Sequence, residues 1–115
     1  MDIRHDHFSD ENEVLAEIEA AGYYPITLDF EAETNQEHWH DFDSMVYIVD
    51  GELTVIDTQT GARCVCGRGA KINAPRGVLH REETQGHRAI IGLSVKPEDL
   101  TQPVNRPPPV KIFCQ

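Results

Sequence analysis

Three histidines of this sequence have a spacing that could hold a metal ion. His38 and His40 are separated by one residue, and His80 ends the segment "GAKINAPRGVLH". Residues two apart in a strand point to the same face, so the imidazoles of His38 and His40 can face one ion. Glycine and proline punctuate the later segment and place His80 at the start of a new strand. The spacing therefore predicts a three-histidine metal site.

Other residues with metal-binding side chains favour simpler interpretations. His5 and His7 repeat the spacing in a polar N-terminal segment, where solvated side chains are expected. His87 opens another predicted strand and is expected at the surface. Cys64 and Cys66 share one strand face; such a pair can bind a soft metal, but thiols that fill the core are the favoured interpretation.

One short helix is expected before the histidines. Ser9 or Asp10 can cap a helix in "ENEVLAEIEAAG", Asp10 and Glu13 have capping-box spacing, and Gly22 is a natural end. The apolar face of this helix comprises Val14, Leu15, Ile18 and Ala21.

The chain after Tyr23 has the pattern of many short β-strands. Strands are predicted in "YYPITLDFEAE", "SMVYIVDGELTVID", "GARCVCG", "GAKINAP", "VLHREET" and "HRAIIGLSV". Asp50-Gly51 and Gln85-Gly86 are among the dipeptides expected to form turns. Short strands at this spacing indicate an antiparallel sandwich or small barrel.

The composition restricts the partners that this protein is expected to have. The 115 residues suit one domain, and the formal charge of −10 is concentrated in the first 60 residues, which hold 16 of the 20 acidic side chains. Such a chain is poorly suited to nucleic acid. Neither a signal peptide nor a long apolar segment is evident, and three cysteines without scaffold spacing suggest reduced thiols. We expect a cytoplasmic protein that binds a small molecule, without a nucleic-acid or membrane partner.

The histidines and glycines together resemble the two motifs that mark the cupin family. The first motif is matched at His38, His40 and Gly51, with Ala32 in place of its leading glycine and Ser44 in place of its glutamate. The second is matched at Gly69, Pro75, Gly77 and His80, with Thr84 where asparagine is usual. The resemblance implies an all-β double-stranded β-helix, or jelly-roll barrel, with a short N-terminal helix and a divalent metal on His38, His40 and His80.

The resemblance also suggests a division of the chain and an oligomeric state. Residues 1–22 would form an N-terminal segment and helix, residues 23–96 the barrel, and residues 97–115 a proline-rich extended tail that packs on it. Many cupins dimerise by exchanging terminal strands, so the N-terminal segment and "VKIF" near the end suggest a homodimer.

The serine at position 44 narrows the expected chemistry. Three neutral imidazoles leave the charge of a divalent ion uncompensated, which favours an anionic, chelating substrate. Among cupins, the thiol dioxygenases and a β-diketone-cleaving dioxygenase resemble this arrangement, with three histidines on iron(II). We therefore expect an iron(II) dioxygenase for a thiol, β-diketone or phenolic acid, with manganese, nickel or zinc as other metals. A zinc or manganese isomerase or hydrolase, and a non-enzymatic accessory cupin, remain alternatives.

Three more residues are candidates for contacts with a histidine or the substrate. Asp43, or Asp41, could replace the missing ligand if a bulge turned it inward, but a hydrogen bond that orients a histidine is favoured. Ser44 could hold a water or a substrate oxygen, or simply line the barrel. Arg76 could attract an anion, although an exposed arginine is the favoured interpretation.

Overall fold

The protein is mostly β, with one short helix near the N-terminus, as predicted. The computed structural model describes residues 1–109, so the segment "VKIF" lies outside the described residues. The elements are β1 (Asp2–Arg4), α1 (Glu11–Ala20), β2 (Tyr24–Phe30), β3 (Glu33–Thr34), β4 (Ser44–Ile56), β5 (Arg63–Cys66), β6 (Lys71–Ala74) and β7 (Arg81–Leu93). Within residues 1–109, no helix is both long and apolar enough to cross a membrane.

All strand pairs are antiparallel, and two long strands organise the sheet. Its order is β1-β6-β4-β7-β2, while β5 pairs with β4 and β3 pairs with β7. The strands β4 and β7 have 13 residues each and pair along most of their length. Side chains from β2, β4, β6 and β7 surround an internal cavity of about 240 Å³.

The turns predicted at Asp50-Gly51 and Gln85-Gly86 are wrong, because both dipeptides lie inside continuous strands. The register of β4 against β7 shifts on both sides of Asp50 and Gly51. Gly51 pairs with His87, and both Gly51 and Gly86 have positive φ angles, of 75° and 125°. The extra residue of β4 lies between Ile48 and Asp50, and that of β7 lies between Thr84 and His87. Each of these β-bulges bends its strand and reverses which side chains face inward.

The helix α1 packs on the outer face of the sheet. Asp10 caps it by accepting a hydrogen bond from the backbone of Glu13, as the capping-box spacing predicted. Val14 and Ile18 are buried, whereas Leu15, predicted on the same face, is 42% exposed. The prediction for Leu15 was wrong because only the narrower Val14 and Ile18 stripe meets the sheet.

Buried polar contacts also hold α1 in place. Glu17 on the helix forms an ion pair with the buried Lys71 on β6, and it accepts a hydrogen bond from His7 at 2.9 Å. Burial alone would raise the pKa of Glu17, but Lys71 and His7 outweigh burial and lower that pKa. His7, predicted to be solvated, therefore has a structural partner.

We predict that Gly51→Ala destabilises the protein much more than Gly61→Ala. Both glycines have left-handed backbones, with φ of 75° and 77°. An alanine Cβ at Gly51 would clash with the Gly86 carbonyl oxygen and lie 2.9 Å from Cα of His87, whereas a Cβ at Gly61 would meet nothing within 4 Å. Backbone strain alone should cost about 1–2 kcal/mol at Gly61, and the added clash should bring Gly51→Ala to about 3–5 kcal/mol. Urea denaturation measures both values; equal losses would contradict the close approach of β4 and β7.

We also predict that Glu17→Gln destabilises the protein at neutral pH but not in acid. The lowered pKa means that ionised Glu17 contributes stability above its unfolded pKa of about 4.3, and that this contribution disappears as the pH falls through the folded pKa. At pH 7 the loss should be about 1–3 kcal/mol, since Lys71 would remain buried without its carboxylate. Exposed Glu19→Gln is the control and should change little; a pH-independent loss at Glu17 would contradict the ion-pair explanation.

Candidate metal centre

A pair of backbone hydrogen bonds joins the two histidine motifs. The His38 amide donates to the His80 carbonyl at 2.9 Å, and the His80 amide donates to the His38 carbonyl at 3.0 Å. Opposite residues of such an antiparallel bridge present their side chains on the same face. The two imidazole centroids are 4.4 Å apart, and His40, two residues beyond His38, adds a third ring at 4.9 Å from His38. The bridge therefore assembles the three rings.

The three rings can offer one ligand atom each to a common ion. One ring nitrogen from each of His38, His40 and His80 can be chosen so that all lie within 4.8 Å of one another. His38 and His80 are buried, and His40 is half-buried. Imidazole nitrogens are common ligands for iron, nickel, copper and zinc, so these side chains fit a divalent transition metal.

Backbone carbonyls determine which nitrogen each ring presents. Each Nδ1 lies at hydrogen-bond distance from a carbonyl oxygen. The three pairs are His38 with Gln36 at 2.7 Å, His80 with Val78 at 2.9 Å, and His40 with Val104 at 2.9 Å. Because a carbonyl can only accept, each Nδ1 must carry the proton. In the neutral rings, Nε2 therefore carries a free lone pair, as a metal ligand requires.

A carboxylate that was not among the predicted site residues lies beside these lone pairs. Oε1 of Glu82 lies 3.2 Å from Nε2 of His80 and 3.4 Å from Nε2 of His38. Glu82 is two residues after His80 at the beginning of β7, so strand alternation directs both side chains inward. The sequence signal for Glu82 is the spacing His80-x-Glu82, whereas the predicted carboxylates, Asp41 and Asp43, lie close to Ser44.

The carboxylate and the rings alter the pKa values of one another. Burial alone would raise the pKa of Glu82, but contacts with His38 and His80 lower it to about 2. Burial would lower the pKa of His38, yet the Glu82 carboxylate raises it overall. The pKa of His40 is lowered by burial, with His80 and His38 adding to this effect against the Val104 carbonyl. The site therefore keeps one carboxylate ionised at neutral pH.

The aspartates near the first motif bind elsewhere. Asp43 accepts a hydrogen bond from the Arg76 amide at 2.8 Å, and Asp41 accepts from Thr101 and Arg106 at 2.9 and 2.8 Å. Among residues 1–109, carbonyl oxygens rather than these carboxylates hold the Nδ1 atoms. The expected histidine-orienting role of Asp43 is therefore filled by the backbone, and Asp43 instead stabilises the turn that contains Arg76.

Ser44 and Arg76, the other two predicted site residues, have different surroundings. Ser44 is 7% exposed and lines the cavity together with His40 and His80. The Arg76 side chain is 65% exposed and lies 4.0 Å from Asp43. The structure thus brings Ser44 to the histidine cavity and leaves Arg76 in an exposed turn.

The surface position predicted for His87 is wrong, because its side chain is buried and lines the cavity. Its ring stacks on Phe30 with centroids 4.6 Å apart. Thr84 pairs with Leu53 and His87 pairs with Gly51, so β7 advances three residues where β4 advances two. This bulge moves His87 to the inward face, which alternation counted from His80 could not predict.

Hydrogen bonds around Thr84 fix the tautomer of His87. The Thr84 hydroxyl donates to the Glu52 carbonyl at 2.8 Å and accepts from the Gly86 amide at 2.9 Å. Nδ1 of His87 lies 3.0 Å from the same oxygen, whose only hydrogen is already used. His87 must therefore donate through Nδ1, and its Nε2, at the far end of the ring, is an acceptor.

The remaining histidine and cysteine candidates lie outside the centre. Cys66 is buried in the hydrophobic core, as expected for a core-filling thiol, and burial raises its pKa to about 12. Sγ of Cys64 lies 4.0 Å from Sγ of Cys66 and 3.6 Å from Nε2 of the exposed His5. The high pKa of Cys66 disfavours the thiolate that a metal would need.

Comparison with known proteins identifies the fold. The sequence matches no protein-family model and no curated protein. A DUF861-family protein from Thermotoga maritima matches with a TM-score of 0.60 and 18% identity, covering 80% of this chain and 97% of that one. An RmlC-like cupin from Shewanella frigidimarina matches with a TM-score of 0.52 and 23% identity, covering 67% of this chain and 71% of that one. The polyketide cyclase RemF from Streptomyces resistomycificus has a TM-score of 0.52, 20% identity, and coverages of 64% and 56%. This protein therefore has the cupin fold, with a cluster of three histidines that could hold a metal ion.

Proposed function

We propose that this protein is a metal-dependent enzyme that binds iron(II) through His38, His40 and His80 and catalyses oxygen addition to a small substrate. One observation carries the metal part of the proposal: each of the three rings has its Nδ1 on a backbone carbonyl, and the rings can offer one nitrogen each within 4.8 Å of one another. Iron(II) would supply one-electron chemistry with dioxygen. The histidines would leave other coordination positions free for the substrate.

The cavity favours a substrate with an apolar body. Its volume of about 240 Å³ lies below the usual range for drug-sized ligands, and most of its lining side chains are aliphatic or aromatic. A small molecule with one anionic, chelating group fits both the cavity and the histidines. Small thiols, β-diketones and phenolic acids belong to this class.

His87 supplies a second polar group for such a substrate. It lines the same cavity as His40 and His80, and the Thr84 hydroxyl holds its Nδ1 proton. Its Nε2 can therefore accept a hydrogen bond from a substrate hydroxyl or amine. A polar acceptor in a mainly apolar cavity orients a ligand and provides specificity.

Glu82 favours a second candidate function, an isomerase or hydrolase that uses zinc or manganese. A carboxylate within 3.2 Å of a histidine nitrogen in the cavity is placed to accept a proton from a substrate or a water molecule. The metal would act there as a Lewis acid rather than as a redox centre. A non-enzymatic accessory cupin would bind the ligand without turnover.

The proposed assembly is a homodimer that uses the N-terminal segment and "VKIF". The strand β1 lies at one edge of the sheet, where it pairs with β6. An edge strand has free hydrogen-bonding groups that a second subunit can use.

We predict that untagged protein, prepared without chelators, contains stoichiometric transition metal. Metal removal should lower the melting temperature, and iron(II) supplied anaerobically at about 100 times its Kd should restore about 2.7 kcal/mol, or on the order of 10 °C. His80→Ala should abolish this stabilisation, because the cluster loses one of its three imidazoles. Elemental analysis and thermal melts provide the measurements.

The matched control is His5→Ala, which removes an exposed histidine outside the cluster. It should retain the metal content and the thermal shift of the wild-type protein. If wild-type protein contained no metal and gained no stability from iron, manganese, nickel or zinc, the metal-site proposal would be lost.

We predict that the iron(II)-loaded protein consumes oxygen with at least one member of a panel of small thiols, β-diketones and phenolic acids. An oxygen electrode and product mass spectrometry should show uptake coupled to substrate loss. Zinc-loaded protein and His80→Ala are the controls and should show no uptake. If the iron-loaded protein consumed no oxygen with any member of this panel, the isomerase, hydrolase or accessory functions would be favoured instead.

A further inference from the structure

We infer that Glu82 is the fourth protein ligand of the metal centre, and that it supplies from β7 the carboxylate that Ser44 does not supply from β4. The inference rests on the proposed metal binding by His38, His40 and His80. It adds a residue to that site and changes the charge that the site presents to a substrate.

The ring nitrogens of His38 and His80 face the Glu82 carboxylate. The carbonyls of Gln36 and Val78 lie at hydrogen-bond distance from the two Nδ1 atoms, so each ring presents its Nε2 on the other side. Oε1 of Glu82 lies 3.4 Å from Nε2 of His38 and 3.2 Å from Nε2 of His80. One carboxylate oxygen and two imidazole nitrogens, which are all groups that bind divalent transition metals, therefore lie together.

The distances from Glu82 to the two histidines match the spacing of atoms that bind one metal ion. Ligand atoms that lie about 2.0–2.2 Å from one metal ion, at tetrahedral or octahedral angles, are roughly 2.9–3.5 Å apart. The two distances from Glu82 Oε1 to the histidine nitrogens fall in this range. The carboxylate oxygen of Glu82 therefore already lies at ligand spacing from His38 and His80.

Asn35 holds the backbone of Glu82 on both sides. The side-chain oxygen of Asn35 accepts from the Glu82 amide at 2.7 Å, and the Asn35 amide donates to the Glu82 carbonyl at 3.0 Å. Among the described residues, the polar contacts of the carboxylate itself are with His38 and His80. Its backbone is thus fixed by Asn35 while its oxygens face the histidines.

The assignment defines the charge of the substrate. One carboxylate on a divalent ion leaves a net charge of +1, which a monoanionic thiolate, enolate or carboxylate neutralises. Ser44 lines the cavity and keeps a small side chain where the first motif usually has glutamate.

Cobalt(II), whose visible absorption reports its ligands, tests the assignment in the full chain. Wild-type protein, Glu82→Gln, Glu83→Gln and His80→Ala would be titrated with cobalt(II) at pH 7. Glu82→Gln should weaken cobalt binding by at least about tenfold and change the spectrum, since loss of a group that merely supports a ligand already costs about 10–100-fold. Glu83 is the matched control, because it is adjacent on β7 and pairs with Arg63 and Arg81.

A double variant tests whether a carboxylate at position 44 can replace the one at position 82. Ser44→Glu combined with Glu82→Gln returns one carboxylate to the cavity, and it should recover most of the lost cobalt affinity. Circular dichroism of the metal-free proteins would confirm folding.

The outcomes separate this inference from the proposed function. Equal cobalt affinity and spectra in wild-type and Glu82→Gln, with binding lost in His80→Ala, would overturn the role of Glu82 and leave the three-histidine site intact. If the folded double variant bound cobalt(II) no better than Glu82→Gln, the inference that Glu82 supplies the carboxylate missing at Ser44 would be overturned. Failure of the wild-type protein to bind any metal would remove both proposals together.

Discussion

The reciprocal backbone bridge between His38 and His80 is the contact on which the candidate centre depends. The same edge continues through Asn35, which pairs with Glu82, to β3, where Glu33 pairs with Thr84. One antiparallel ladder therefore fixes two histidines and one carboxylate relative to each other. Because backbone hydrogen bonds set their spacing, the side chains converge without having to be pulled together by a bound ion, as a preorganised site requires.

The two bulges mark where the cavity lining changes from polar to apolar side chains. On β7 the inward residues before the bulge are polar, whereas after His87 they become Ala89, Ile91 and Leu93. The bulge in β4 makes the corresponding change of face near Gly51, which allows both strands to bend together. A sheet without these extra residues would turn His87 outwards, since strand alternation has a period of two.

Local patterns in the sequence were enough to predict the fold class, the capped helix and a three-histidine cluster. The helix cap at Asp10 and the His38-x-His40 spacing involve neighbouring residues, so their geometry follows from local rules. The bulges next to Asp50-Gly51 in β4 and at Gly86 in β7 were missed because Asp-Gly and Gln-Gly also suit turns, and only strand pairing decides between a turn and a bulge. The carbonyl of Val104 could not have been predicted to bind His40, 64 residues earlier in the chain.

That last contact makes the proline-rich segment part of the centre. His38 and His80 each bond to a carbonyl two residues earlier, so their orientation is local, whereas His40 depends on Val104. Trp39 reinforces the connection, because its backbone forms a reciprocal bridge with Arg106 and its indole donates to the Pro107 carbonyl at 2.8 Å. Proline restricts the backbone of this segment, which reduces the entropy lost when its carbonyls are fixed. The third ring is thus oriented by a segment outside the strands, and the tautomer that exposes its Nε2 requires that segment to remain docked.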